Sequence, residues 1–426
     1  MTFTSGDVFH LLLALLLVLG ATRLGGRVAL SMRLPPVIGE ISAGILLGPS
    51  VFGVVFPEAS AAVLPETGVV ADSLDAFYEL GLILLMFAAG LELRALPRRE
   101  EARTAGIITI ASTVIPLGAG IAAGVTLDLD SLEGPAQDGT ALVIVFAAAL
   151  AITSIPVISR IMLDLGLMGT RFSRIVLGSA IVEDVILYGL LAIAVGIAQS
   201  GAQTVGLPAE VGIDPASAIG AAYYALASAL VLVGPVVAVR LAGSHDRFGW
   251  VLARLGNEAA HQLLLVFALA AFSGALGVIP IFGALTAGLI VSQQHDVRVS
   301  GSSVGRFSFA FFIPLYFGLV GLRIDLGEDA NLMLIATFIS AACVIKGSAA
   351  YLGARLAGED RGSAGALAVA LNARGGPGIV LASVALAAGI VSEEFFVTLI
   401  LLSLITSALA GWWLQRLLAS RDGSLS

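Results

Sequence analysis

Long apolar runs broken by short polar clusters organise this chain from end to end. Thirteen runs stand out, at residues 8–22, 33–52, 77–93, 104–126, 139–160, 172–198, 217–241, 258–277, 279–292, 305–323, 331–356, 362–390 and 394–418. Most approach the roughly 20 apolar residues that a helix needs to cross a bilayer. Inside a bilayer the backbone has no water to bond, so such runs must be helices that satisfy their own N–H and C=O groups. The pattern predicts an all-α polytopic membrane protein of about 13 transmembrane helices. Gly277 and Pro280 leave only a short turn between the eighth and ninth runs.

The polar clusters between the runs alternate in sign. Arg23, Arg27 and Arg33 follow the first run, and Glu58, Glu66, Asp72 and Asp75 the second. Arg94, Arg98, Arg99 and Arg103 come next, then Asp128, Asp130, Glu133 and Asp138. Arg160, Arg171 and Arg174 are answered by Glu210 and Asp214. Arg240, Arg247, Arg254, Arg298 and Arg306 are answered by Asp325, Glu328 and Asp329. Arg355 and Arg361 precede Glu393 and Glu394, and Arg416 and Arg421 close the chain. Basic loops stay in the cytoplasm, so the pattern predicts an external N-terminus, a cytoplasmic C-terminus and an odd number of spans. Nineteen of the 22 basic residues obey it; the exceptions are Arg323, Lys346 and Arg374.

Composition agrees with a membrane location. The 426 residues are 58% hydrophobic and 12% charged, with a mean hydropathy of +1.01, far from any soluble domain. The 50 glycines suit close helix packing and broken helices. Cys343 is the only cysteine, which excludes an internal disulfide and a cysteine metal site. His10, His245, His261 and His295 are scattered and suggest no metal centre. No phosphate-binding loop occurs, and the GGPG run lies in a span with no strand before it. No cofactor, nucleic acid or appended nucleotide-binding domain is expected. Asp7 precedes the first run where a signal peptide would carry basic residues, so that run reads as a retained span. Arginine in nearly every basic position, with abundant Ala and Gly, points to a GC-rich bacterial genome.

The candidate chemistry lies inside the membrane. Glu183 and Asp184 sit near the middle of RIVLGSAIVEDVILYGLLAIAVGI. One carboxylate at that depth costs about 2.5–3.5 kcal/mol on insertion scales. Adjacent helix positions point about 100° apart, so one acid can hold a base while the other faces water. Lys346, the only lysine, is mid-span and can lose its proton when buried, whereas arginine stays charged. Glu40 is a third buried acid by this reading. Pro156 breaks AITSIPVISR and frees carbonyls beside the hydroxyls of Thr153 and Ser154. Gly375, Gly376, Pro377 and Gly378 break the twelfth run. The breaks fall in spans 5 and 12, and a shift by seven inverts orientation. That is the arrangement of inverted repeats, spans 1–6 and 8–13, with a binding site at the matched breaks.

Blander readings stand beside this one. The acid pair could be a structural partner of Lys346 or Arg374, Lys346 could snorkel to an interface, and Arg374 is better suited to satisfying freed carbonyls than to transport. The scattered small polar residues carry no signal. A gated cation channel and an intramembrane aspartyl enzyme are the competing function classes. The enzyme ranks last, because adjacent acids on one helix face apart while such a dyad shares one proton.

LPPVIGEISAGILLGPSVFG, ELGLILLMFAAGLELR, ITSIPVISRIMLDLG, RIVLGSAIVEDV, GVIPIFGALTAGLIVS, FFIPLYFGLVGLRIDL and LNARGGPGIVLASVALAAGIVSEEFF, in that order, resemble the monovalent cation–proton antiporters, in the branch of Kef-type and plant cation/H+ exchangers. The resemblance implies a homodimer that exchanges Na+ or K+ for H+ in the cell membrane and contributes to pH homeostasis. It implies a dimerising scaffold at 1–103 and 258–324, a mobile core at 104–198 and 325–426, and a connector at 199–257. It carries the cation and proton site onto Asp184, ion-coordinating groups onto Thr153 and Ser154, and an ion pair onto Glu183 and Lys346. That pair either supports the bundle or releases a proton in the cycle, which would make transport electrogenic. Glu183 departs from the family's usual aspartate, asparagine or glutamine.

Overall fold

The computed structural model describes residues 4–32, 34–65, 67–92, 99–154, 170–198, 207–213, 258–292, 302–327 and 329–419, with isolated positions at 157–158, 161–162, 167 and within 219–237. Fifteen helices are described, and no strand occurs among these residues. They are α1 (Ser5–Ser31), α2 (Pro36–Leu47), α3 (Pro57–Val63), α4 (Val69–Glu92), α5 (Arg99–Thr126), α6 (Gly139–Ala151), α7 (Arg171–Ala198) and α8 (Leu207–Val211). There follow α9 (Ala259–Ala275), α10 (Pro280–Ser292), α11 (Ser303–Leu322, with a π-turn at Ser308–Phe312), α12 (Leu332–Leu356), α13 (Arg361–Ala370), α14 (Gly376–Ala387) and α15 (Glu393–Ala419). Eight of the described helices, counting α2 with the π-turn after it, are long and apolar enough to cross a membrane. Twelve predicted spans coincide with a described helix or broken pair; the seventh, 217–241, lies largely outside the described residues, as does Pro156.

Acids in the loops also start helices. Asp138 accepts from Ala141 N at 2.9 Å and caps α6. Asp360 accepts from Gly362 N at 2.7 Å and Ser363 N at 3.1 Å and caps α13. Short polar side chains satisfy the orphan N–H groups of a first turn.

The chain divides into two compact units. The first comprises 1–92, 238–270 and 284–330. Within it α1 and α2 pack backbone to backbone, and a Cβ on Gly25 would lie 2.2 Å from the Gly39 carbonyl oxygen. Arg323 is accounted for here: its guanidinium donates to Asp75 at 2.7 Å and lies 4.1 Å from the Tyr78 ring centroid. Glu40 is half-buried on α2 rather than fully enclosed.

The second unit comprises 93–237, 271–283 and 331–426. The loop before α6 and the loop before α15 clasp each other through Gly134 N to Ile390 O (3.0 Å), Ala136 N to Gly389 O (2.8 Å) and Ser392 N to Leu132 O (2.9 Å). Elsewhere in this unit Glu101 accepts a forked bond from Arg174, and Arg171 pairs with Glu359 at 2.6 Å.

Candidate functional site

Two interrupted helices meet in the second unit. Helix α6 stops at Ala151, and Ile152 turns to φ −71°, ψ 146°. Between α13 and α14 the chain leaves the helix at 371–375. The two non-helical segments bond to each other: Ser154 N donates to Ala373 O at 2.8 Å, and the Thr153 hydroxyl donates to Leu371 O at 2.5 Å. Gly375 is required by contact, since a Cβ there would lie 2.2 Å from Val157 Cγ2 and 2.7 Å from Ser154 Oγ. Gly376 opens α14 with nothing near its missing Cβ, and Pro377 follows in the first turn, where its absent N–H costs nothing. A Cβ on Gly378 would meet Ser403 Oγ at 2.4 Å.

Stopping a helix inside a membrane strands its last carbonyls. Two fully buried cations take them up. The Arg374 guanidinium donates to Ala149 O (3.3 Å) and Leu150 O (3.1 Å) at the end of α6, to Ala342 O of α12 (3.0 Å), and to Asn372 Oδ1 (2.6 Å). Lys346 Nζ donates to the next α6 carbonyl, Ala151 O, at 2.5 Å and to Ser112 O at 2.9 Å. Both cations thus sit at the negative end of the α6 dipole. Thr406 and Ser407 of α15 hold the Arg374 backbone at N (3.2 Å) and O (3.0 Å).

The two acids of α7 have different surroundings. Glu183, 2% exposed, accepts from Ser112 Oγ at 2.5 Å through Oε1, and its Oε2 lies 2.8 Å from Lys346 Nζ. Asp184, 3% exposed, has an Oδ1 with no hydrogen-bond partner among the described residues. A narrow cleft borders this region, lined by Thr113, Ala148, Ala151, Ile152, Glu183 and Leu187 among others. The structure thus joins Glu183, Lys346 and the end of α6, while Thr153 and Ser154 bond the second break. Ser112, Thr406 and Ser407 were not singled out from sequence. Their only signal is a hydroxyl in an apolar span, and nothing local says which hydroxyl faces a charge. Among the described residues no group of three His, Cys, Asp or Glu side chains could hold a metal ion.

The family described as "Sodium/hydrogen exchanger, transmembrane" matches residues 11–420. The chain is 28% identical over 405 residues to the Na+/H+ antiporter NhaS4 of Synechocystis, covering 92% of this chain and 93% of that protein. It is 23% identical over 422 residues to the Na+/H+-K+ antiporter GerN of Bacillus cereus, covering 98% of each. Among solved structures, the sodium proton antiporter MjNhaP1 of Methanocaldococcus jannaschii aligns over 97% of both chains with a TM-score of 0.54 at 14% identity. That likeness shows the fold.

Proposed function

This chain belongs to the sodium/hydrogen exchanger family, and on that premise we propose that it exchanges a monovalent cation, Na+ or K+, for H+ by alternating access, with the Asp184 carboxylate as the site both ions share. Exchange rather than an uncoupled leak is what the family and the relatives named above carry. Both Na+ and K+ stand in the name of the Bacillus relative, so both remain substrates of the proposal.

The observation that supports Asp184 is the contrast with its neighbour. Glu183 accepts from Ser112 through Oε1 and is ion-paired with Lys346 through Oε2, an oxygen with no hydrogen bond of its own, while Asp184 Oδ1 is buried with no hydrogen-bond partner among the described residues. Such an oxygen is costly unless something binds it. A cation and a proton competing for one carboxylate cannot share it, so inward movement of one requires outward movement of the other. Thr153 and Ser154 would contribute oxygens, while the Ser154 N–H and the Thr153 hydroxyl bond the second break. Glu183, Lys346 and Arg374 would keep the α6 terminus and α7 in register.

The unit that holds the breaks would be the moving core, the other unit a scaffold through which two chains pair, with the N-terminus outside and the C-terminus in the cytoplasm of a bacterial cell.

Cation-dependent pH change in proteoliposomes tests the site. Asp184→Asn should abolish coupled exchange in Na+ and in K+, while the variant still reconstitutes. Coupled exchange retained in Asp184→Asn would overturn the single-site mechanism. Repeating the assay with the membrane potential clamped by an ionophore decides whether net charge moves.

A further inference from the structure

Helix α7 carries one more polar group beside Asp184. Toward the C-terminal end of the helix the next buried side chains are Leu187, Tyr188, Leu191, Ala194 and Val195. Only Tyr188 among them has a hydrogen-bonding atom, and it is 2% exposed. A buried tyrosine hydroxyl ordinarily finds a partner, yet among the described residues that of Tyr188 makes no hydrogen bond.

Helix geometry aims it at Asp184. Residues four apart lie on one face, a turn from each other. Long side chains in a helix lean back over the turn that precedes their own Cα. For Tyr188 that turn holds Asp184, whose Oδ1 is also buried and without a hydrogen bond among the described residues. The two groups are close enough for the Asp184 charge to act on the hydroxyl. The ring is steadied by the fully buried Phe282 of α10, in the same unit, with centroids 5.8 Å apart and planes at 65°.

We propose that Tyr188 is a positioning residue for exchange, whose hydroxyl donates to the Asp184 carboxylate when that group is ionised or holds a cation. Such a bond is charge-assisted and roughly twice as strong as a neutral one, so it favours the unprotonated carboxylate. Tyr188 thereby sets where proton and cation balance at the shared site. The proposal deepens the reading of Asp184 and rests on it.

Few other charges face this region among the described residues. Glu183 shares the helix, Lys346 of α12 pairs with Glu183, and Arg374 stands in the second break. Helices α6, α10 and α14 carry no ionisable side chain, and α13 only Arg361 at its start. Those of α5 lie in its first five residues, where Glu101 is bonded to Arg174.

Tyr188→Phe keeps the ring and removes only the hydroxyl. Exchange is measured in proteoliposomes against pH and against Na+ or K+ concentration, for the wild type, Tyr188→Phe and Asp184→Asn. Without the hydroxyl protons compete better, so the pH of half-maximal exchange should move up by about 1 unit. The apparent KM for the cation should rise about tenfold at the acid end and return to the wild-type value at the alkaline end, with kcat unchanged. A merely structural role would instead lower kcat or move KM equally at every pH. An unshifted pH profile in Tyr188→Phe, or a KM change independent of pH, overturns the proposal and leaves Asp184 in place. Coupled exchange retained in Asp184→Asn overturns the site itself and the proposal with it, so the two failures are told apart.

Discussion

Arg374 and Lys346 do for the end of α6 what water does for a helix in a soluble protein. Arg374 suits the first task because its planar fork reaches carbonyls of two helices, α6 and α12, and the Asn372 side chain in the second break from one position. Arg374→Met should therefore destabilise the protein by about 1–3 kcal/mol for each buried carbonyl left without a donor. Arg374→Lys should recover only part of that, because one ammonium cannot cover the same spread. Unfolding midpoints in detergent check both, and an Arg374→Lys protein as stable as the wild type would show that the fork is not needed. Ser112→Ala removes the donor to a charged acceptor, Glu183 Oε1, at 2.5 Å. The expected loss is about 1.5–3 kcal/mol, read by the same melt.

At the scale of elements, the crossing of the two breaks depends on one glycine more than on its neighbours. Gly375→Ala forces a Cβ to within 2.2 Å of Val157 Cγ2 and must part the segments that Ser154 N and Ala373 O hold at 2.8 Å. Gly376→Ala meets nothing within 4 Å. The first should lose most exchange activity and lower the unfolding midpoint; the second should retain both. Equal behaviour of the two variants in the proteoliposome assay would refute this account of the crossing. From sequence the four-residue break was legible as a whole, because Gly and Pro disfavour helix locally. Which glycine is indispensable was not, because that depends on the segment lying across it.

For the whole molecule, the alternation of basic and acidic loops implies one sidedness. In a Cys343→Ser background, a cysteine replacing exposed Asp128 should react with an impermeant thiol reagent from outside. One replacing exposed Arg361 should react only from the cytoplasmic side. The reverse pattern would invert the proposed orientation. The one loop arginine out of place, Arg323, does not weaken this reading. Its charge is answered by Asp75 and its guanidinium lies over Tyr78, so it is neutralised where it stands.

Membrane class, all-helical fold, helix order and the location of the breaks follow from run length, loop charge and the backbone chemistry of proline and glycine. These are properties of neighbours in the chain, so sequence alone determines them. The loop acids Asp138 and Asp360 belong there too, since a cap acts within three residues. The tertiary structure sets Glu183 against Ser112 and against Lys346, the partner that the resemblance implied, and leaves Asp184 Oδ1 without a hydrogen bond among the described residues. It alone revealed that the last carbonyls of α6 are divided between Arg374 and Lys346, and that Ser112, Thr406 and Ser407 serve charges or breaks. The reason is distance along the chain. Lys346 meets Ala151 across 195 positions and Ser112 across 234. A stranded carbonyl can be foreseen from the helix that ends, but its donor comes from whichever helix packs against it.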